Sequence, residues 1–233
     1  MNNHIPENIA PVESVSVTQQ ATDILSGLIT SGKYQVGQYL PSEDELCQAL
    51  KVSRSTVREA IKTLESRGMV KKQHGKGVLI VDESLKATSE MLKIMFNQKK
   101  STLVELIEFR NVLEVKIAEL AASRATESDI ADIEKHLVVM QNERTDLEEF
   151  IAADFEFHRS VAQASGNTIF ELVIESVRPL LYDQILTTLR NDINPERSCK
   201  YHEKIYLAIR QRDAQKAASA MKEHLIGTKN LMR

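Results

Sequence analysis

Residues 40–81 read LPSEDELCQALKVSRSTVREAIKTLESRGMVKKQHGKGVLIV, and this stretch decides the fold of the first part of the chain. It contains two signals for the start of a helix. Ser42 is followed three residues later by Glu45, the spacing of a capping box, and Ser53 precedes a second helical run. Gly68 ends that run, because glycine readily adopts the left-handed backbone that closes a helix. The stretch therefore predicts a short helix, a three-residue turn and a second helix.

A hairpin is predicted directly after the second helix. Two short runs, Met69–Gln73 and Val78–Val81, flank a turn that begins with His74 and Gly75, and such runs around a glycine-containing turn are typical of a β-hairpin. Ahead of the quoted stretch, apolar residues recur at helical spacing from Thr18 to Ile29. A helix, a short helix, a turn, a helix and a hairpin form the order of a winged helix-turn-helix.

The second helix has two chemically different faces. Its apolar stripe comprises Val57, Ala60, Ile61 and Leu64, and its opposite face carries Ser55, Arg58 and Lys62. Arg54, Ser55 and Thr56 lie in the first turn, where a helix that enters a major groove presents its donors. At the tip of the wing, Gly75 beside His74 would allow close approach to a sugar-phosphate backbone. These features favour DNA recognition over a helix pair that serves only packing.

Charge is unevenly distributed along the chain. Between Lys51 and Ile80 there are eight basic and two acidic residues, a net charge of +6, whereas the rest of the chain carries −9. A basic block on an acidic protein predicts an anionic partner for that part alone. A basic face that is merely solvated would be the simpler explanation if charge were the only signal.

After residue 101 nearly all apolar positions follow a period of 3.6, which predicts a helical bundle. The predicted helices span 102–124, 128–143, 146–165, 168–190, 198–212 and 214–230. We therefore expect a mainly α protein: a tail at 1–17, a winged helix-turn-helix at 18–82, a linker at 83–101 and an all-α bundle at 102–230.

Four side chains of the bundle could form one metal site. Asp154 and His158 are four residues apart on one helix, so both could reach a single ion. His224 and His202 each share a side of their own helices with apolar residues, which predicts that both face inward. Alone, the Asp154–His158 pair would more often be a solvated ion pair, and an inward histidine is commonly an ordinary core residue.

The quoted stretch resembles the DNA-binding domain of GntR-type bacterial transcription regulators over residues 18–81. That resemblance implies that the DNA contacts are Arg54, Ser55, Thr56, Arg58, His74 and Gly75. Many members carry arginine where this chain has Asp44, so we do not transfer a DNA contact to that position.

The second half is similar to the FadR-like branch of that family, which has an all-helical FCD ligand-binding domain. The matching segments are LIEFRNVLEVKIAELAA, DFEFHRSVAQASGN and YHEKIYLAIRQRDAQKAASAMKEHL. Metal-containing members hold an ion with one aspartate and three histidines, which correspond here to Asp154, His158, His202 and His224. Arg110 corresponds to a donor for an effector carboxylate, although an exposed ion pair with Glu114 explains it nearly as well.

Three imidazoles and a carboxylate suit Zn²⁺, or Ni²⁺, better than Ca²⁺ or Mg²⁺. We therefore expect a homodimeric regulator, a repressor, that binds operator DNA and senses a small carboxylate such as a sugar acid or an organic acid at the metal. The alternatives are a metal-dependent enzyme with an accessory nucleic-acid domain and a pure metal sensor. Against the enzyme, the sequence shows no additional general base in a motif such as HExxH.

The composition favours a cytoplasmic protein. No apolar run approaches the length of a transmembrane helix, and no secretory signal is evident at the start of the chain. Cys47 and Cys199 provide neither a disulfide framework nor a CxxC pair.

Overall fold

The computed structural model describes residues 16–142, 145–184 and 194–230. These residues form two compact units that divide between Ala87 and Thr88. The predicted tail at 1–17 falls largely outside the described residues, and its final residue, Val17, begins the first helix. Within the described part of the chain, no helix has both the length and the apolar character required to cross a membrane.

The first unit has the predicted order of elements. Its helices are α1 (Val17–Thr30), α2 (Glu43–Leu50) and α3 (Arg54–Ser66), and its strands are β1 (Val70–Gln73) and β2 (Gly77–Ile80). The strands pair antiparallel, with Val70 opposite Ile80 and Gln73 opposite Gly77. The winged helix-turn-helix predicted from the sequence is therefore confirmed.

The helix starts predicted for α2 and α3 are confirmed at the level of single atoms. The Ser42 hydroxyl accepts from the Glu45 amide, and the Glu45 carboxylate accepts from the Ser42 amide, which completes the capping box. Ser53 caps α3 by accepting from the Thr56 amide. Lys51, with φ 54°, takes the left-handed conformation that ends α2, so the helix-turn-helix corner is set by local chemistry.

The core of the first unit lies between the three helices and the hairpin. The apolar stripe of α3 is buried throughout, with Val57, Ala60 and Leu64 fully inaccessible and Ile61 nearly so. It packs with Leu25 of α1 and Ile80 of β2 in one cluster. This packing leaves the opposite face of α3 exposed.

The remaining described elements are helices. They are α4 (Ser84–Lys99), α5 (Leu103–Arg124), α6 (Glu127–Gln141), α7 (Leu147–Ala164), α8 (Thr168–Gln184), α9 (Pro195–Arg210) and α10 (Ala214–Asn230). The predicted linker at 83–101 is thus mostly the helix α4, and the end of the helix predicted at 168–190 lies outside the described residues. The mainly α fold class is confirmed.

The largest shift in a predicted boundary occurs at α9. The sequence predicted a start at residue 198, but the helix begins at Pro195. Asn194 caps it by accepting from the Arg197 amide, and proline suits a first helical position because its missing N–H would lack a helical partner there. The proline therefore begins the helix rather than belonging to the break before it.

The bundle brings four helices around one point. Helix α10 packs against α5 and α9, and α7 packs against α5, α6 and α8. Phe157 of α7 is fully buried and meets the ring of His202 on α9 edge-on, with centroids 4.8 Å apart. Phe157, which precedes the predicted ligand His158, is thus a packing residue of the bundle.

Candidate functional site

The exposed face of α3 carries the predicted DNA contacts in its first two turns. Arg54, Ser55 and Arg58 are exposed and Thr56 is half-buried. The Ser53 hydroxyl lies 2.8 Å from the Ser55 hydroxyl and 2.9 Å from the Thr56 hydroxyl. A cluster of hydroxyl donors therefore borders two arginines at the N-terminus of α3, an arrangement suited to phosphate and base-edge contacts.

Both arginines are paired with acidic residues of α2. Arg54 Nη2 lies 2.6 Å from Asp44 Oδ1, and Arg58 Nε lies 2.7 Å from Glu43 Oε2. Glu43 Oε1 also lies 3.6 Å from Lys72 Nζ on β1, so it links the recognition helix to the wing. The sequence did not predict these pairs, because acidic residues in the first turn of α2 are already explained by the helix dipole.

The wing tip is open on the side needed for contact. His74 and Gly75 are exposed. Gly75 has φ 72°, and a Cβ built there would meet no atom within 4 Å. Glycine is required here by its backbone conformation rather than by lack of space, and the tip can approach another molecule closely.

The predicted metal ligands come together from three helices. Asp154 and His158 lie on α7, His202 on α9 and His224 on α10, with one donor atom of each within 4.8 Å of all the others. The three histidines are buried, and the Asp154 side chain is 16% exposed. His202 and His224, which are distant in sequence from Asp154 and His158, therefore join them in one compact cluster.

The spacing of the donor atoms fits a single ion. His158 Nε2 lies 3.1 Å from His224 Nε2, His202 Nε2 lies 3.4 Å from His158 Nε2, and His202 Nε2 lies 3.0 Å from Asp154 Oδ1. Ligands held about 2.0–2.1 Å from zinc in a tetrahedron would be about 3.3–3.4 Å apart. The cluster is therefore close to the size that a first-row metal requires.

The hydrogen-bond partners of His202 also fit a cation. Its Nδ1 lies 2.8 Å from the carbonyl oxygen of Ser198, which can only accept, so Nδ1 carries the proton. In the neutral ring, the lone pair of Nε2 then faces a carboxylate oxygen of Asp154. Two acceptors facing each other at 3.0 Å need a positive charge, which either a metal ion or a second proton on the ring would supply.

A buried ion pair lies behind His158. The Arg110 guanidinium forks onto the Glu114 carboxylate through Nε and Nη2, and Glu114 Oε2 lies 2.5 Å from His158 Nδ1. The pairing of Arg110 with Glu114, the alternative to an effector contact, is present, but the pair is buried rather than exposed, because α5 turns it into the bundle. The sequence did not predict that Glu114 contacts a candidate ligand.

Burial and charge interactions together set the pKa values in this cluster. Burial alone would raise the pKa of Asp154, but His202 and the other two histidines hold it well below its usual range. Burial would likewise raise the pKa of Glu114, yet Arg110 and His158 lower it to about 2. Burial, together with His202 and His158, places the pKa of His224 well below 6.5. At neutral pH the site therefore presents carboxylates and a neutral His224, the protonation states in which these groups bind metals.

Comparison with family models matches both halves of the chain. Residues 17–80 match the family described as bacterial regulatory proteins, gntR family, and residues 105–227 match the FCD domain. The first match covers the winged unit, and the second covers the helices that carry the cluster of Asp154, His158, His202 and His224.

Among the curated proteins that match, three are similar over most of their length. The HTH-type transcriptional regulator LutR of Bacillus subtilis is 31% identical over 88% of this chain and 96% of its own length. The Glc operon transcriptional activator of Escherichia coli K12 is 29% identical, with 90% and 86% covered. The galactonate operon transcriptional repressor of the same strain is 28% identical, with 89% and 93% covered.

One of the solved structures that match the chain also has a closely similar fold. It is described as Streptococcus agalactiae GntR, has a TM-score of 0.79 and is 27% identical. The similarity covers 91% of this chain and 99% of that one. The combination of a winged unit and a helical bundle is therefore shared with a known member of the family.

Proposed function

Because this chain belongs to the gntR family of bacterial regulatory proteins and carries an FCD domain, we propose that this ligand-responsive transcription regulator senses a small carboxylate at a metal ion in its bundle. The proposed ligands of the ion are Asp154, His158, His202 and His224. The observation that carries the proposal is their convergence within 4.8 Å in a protein whose other unit is built to read DNA.

The donor set favours Zn²⁺, with Ni²⁺ as the alternative, since imidazoles suit these borderline ions. When bound, such an ion supplies a Lewis-acid site that a carboxylate can join. Of the four proposed ligands, only Asp154 is partly exposed. A small effector would therefore reach the cluster from the side of Asp154.

Arg110 is the proposed second contact for the effector carboxylate. Its Nε and Nη2 atoms donate to Glu114, so Nη1 is the donor that the effector would use. A guanidinium held in this way is pre-oriented, which lowers the entropic cost of binding an anion.

A carboxylate effector agrees with one relative. The galactonate operon repressor is named for a sugar acid. The relatives also include an activator, the Glc operon protein. We propose that this chain is a repressor that releases DNA when the effector binds. Whether the effector weakens or strengthens the DNA complex decides between a repressor and an activator.

The curated relatives are transcription regulators rather than enzymes, and this chain is therefore not a metal-dependent enzyme. A pure metal sensor uses the same four ligands and differs only in its signal. If DNA affinity followed the Zn²⁺ concentration with no carboxylate present, the metal itself would be the signal.

The DNA partner is proposed to be a two-fold symmetric operator in the cytoplasm, bound by a homodimer. A two-fold site presents two half-sites, and each would receive one α3 in the major groove. Exposed apolar side chains of α5 and α8 would suit an interface between copies, namely Phe109, Val112, Ile169 and Leu172. A monomeric mass in sedimentation equilibrium at micromolar concentration would contradict the dimer.

Arg54→Ala and Arg58→Ala test the DNA assignment. Each should weaken binding to a duplex selected by the wild-type protein from a random library by about 1–3 kcal/mol, since each removes a base or phosphate contact. Both variants should keep their response to metal and carboxylates. Unchanged affinity in both variants would refute this DNA-binding surface.

The effector proposal is tested with purified protein, added Zn²⁺ and a panel of sugar acids and small organic acids. A carboxylate that raises the melting temperature of the wild type, but not of His158→Ala, would identify the class. Metal analysis of both proteins serves as the reference, because His158→Ala should hold less zinc. Full zinc occupancy in that variant would rule out the four-ligand site.

A further inference from the structure

Glu114 lies in the middle of α5 with its carboxylate inside the bundle and is 2% exposed. Its two oxygens have different partners. Oε1 accepts from Arg110 Nε and Oε2 accepts from Arg110 Nη2 at 3.2 Å, and Oε2 also lies 2.5 Å from His158 Nδ1 as a close ion-pair contact. A carboxylate that only neutralised Arg110 would not need to lie against the histidine ring.

The contact with Glu114 fixes which nitrogen of His158 faces the cluster. The two ring nitrogens lie on opposite sides of an imidazole, so holding Nδ1 toward α5 turns Nε2 inward. There Nε2 lies 3.1 Å from His224 Nε2 and 3.4 Å from His202 Nε2.

His202 shows the same arrangement with a different partner. Its Nδ1 lies 2.8 Å from the Ser198 carbonyl oxygen, and its Nε2 points into the cluster. A carbonyl on α9 and a carboxylate on α5 thus orient two rings in the same sense. Such acceptors behind ligating histidines fix the tautomer and the direction of the lone pair.

We propose that Glu114 is a positioning residue of the metal centre, which holds His158 with its Nε2 lone pair toward the ion, while Arg110 holds Glu114 in place. The inference rests on the metal centre proposed above. It assigns the Arg110–Glu114 pair a role in metal affinity in addition to any contact of Arg110 with an effector.

The principal test replaces the whole pair by apolar residues of similar length, Arg110→Met with Glu114→Met. Removing both partners avoids a lone buried charge, which would itself destabilise the bundle. We expect Zn²⁺ affinity, measured by competition with a chromophoric chelator, to fall about 10–100-fold, as is usual when the partner of a ligating histidine is lost. The visible spectrum of the Co²⁺ form should also change, because the His158 ring is no longer held.

A rescue variant and a matched control accompany this test. Arg110→Met with Glu114→Gln retains an oxygen acceptor for Nδ1 and should recover part of the lost affinity. Lys116→Met with Glu119→Met removes an exposed lysine–glutamate ion pair from the same helix and should leave Zn²⁺ affinity unchanged.

A readout without metal separates this inference from the proposed function. In metal-free wild-type protein labelled with ¹⁵N-histidine, long-range ¹H–¹⁵N spectra at pH 8 should show His158 with its proton on Nδ1. If the wild type bound no Zn²⁺, the proposed metal centre would be refuted. The spectra of the metal-free protein would still test whether Glu114 orients His158. A proton on Nε2 of His158, or wild-type Zn²⁺ affinity in the folded double-methionine variant, would overturn the inference.

Discussion

At the scale of single residues, the proposed DNA-binding surface carries acidic partners for its two arginines. The side chains of Arg54 and Asp44 are 64% and 60% exposed, and ion pairs so open to water contribute little to stability. The arginine can therefore exchange Asp44 for DNA at small cost. The carboxylate itself opposes binding wherever it lies near phosphate.

Asp44→Asn should consequently strengthen DNA binding. Removing one charge near a phosphate changes the free energy by about 1 kcal/mol, which is about fivefold in affinity. The gain in affinity should be similar for all DNA sequences and should become smaller at high salt. Fluorescence anisotropy at two salt concentrations would measure it, with Glu119→Gln in the second unit as a control of equal charge. A gain confined to one sequence would mean that Asp44 takes part in base recognition.

Stability of the metal-free protein should fall with acid in two steps. The folded His224 has a pKa well below 6.5, so below pH about 6.5 the unfolded chain binds a proton that the folded chain does not. Glu114 adds a second loss as pH falls from 4.5 to about 2, worth about 3 kcal/mol in total.

Urea unfolding between pH 8 and 3 would measure both losses. Below pH 4.5 the Arg110→Met, Glu114→Met variant should lose less stability than the wild type, since it lacks the contribution of Glu114 while that of Asp154 remains. Equal stability of the wild type at pH 8 and pH 5 would contradict the lowered pKa of His224.

At the scale of elements, the turn between α3 and β1 depends on one glycine. Gly68 has φ 69°, and a Cβ there would lie 2.3 Å from the Glu83 carbonyl oxygen. The main chain after the wing therefore passes directly over this glycine. The Glu83 amide also donates to the Gly68 carbonyl at 2.8 Å, which fixes the approach.

Gly68→Ala should destabilise the winged unit by about 2–4 kcal/mol, through left-handed strain and a backbone clash. Thermal unfolding followed by circular dichroism would detect the loss. Gly27→Ala is the matched control, because Gly27 is helical, exposed and free of neighbours within 4 Å. That change should stabilise α1 by up to about 1 kcal/mol, and equal effects of the two changes would contradict the proposed clash.

At the scale of the whole molecule, the two units have separate hydrophobic cores. A ligand stabilises only the unit in which it binds to the folded state. Zn²⁺ at about 100 times its Kd should therefore stabilise the bundle by about 2.7 kcal/mol. The winged unit should respond much less.

Hydrogen exchange with and without a chelator would resolve the two units. Removing zinc should increase exchange in α7, α9 and α10 while α3 changes little. Equal changes in α3 and α7 would instead show that the metal is coupled to the DNA-binding unit.

The sequence determined the elements of this protein because their signals are local. Capping residues such as Ser42 and Ser53, the left-handed closure at Gly68 and the 3.6-residue period are written within a few residues of where they act. The shift of the α9 start to Pro195 shows the limit of such signals, since a proline can either break a helix or begin one.

Only the tertiary structure decided what the polar residues do. Asp154 and His158 on their own were compatible with a surface pair, and the close approach of His202 and His224 depends on how α7, α9 and α10 each pack against α5. Arg110 and Glu114 have the spacing of an ordinary exposed ion pair, but the packing of α5 buries them against His158. Helical spacing fixes which residues share a face, whereas the partner of that face comes from segments distant in sequence, and only folding brings them together.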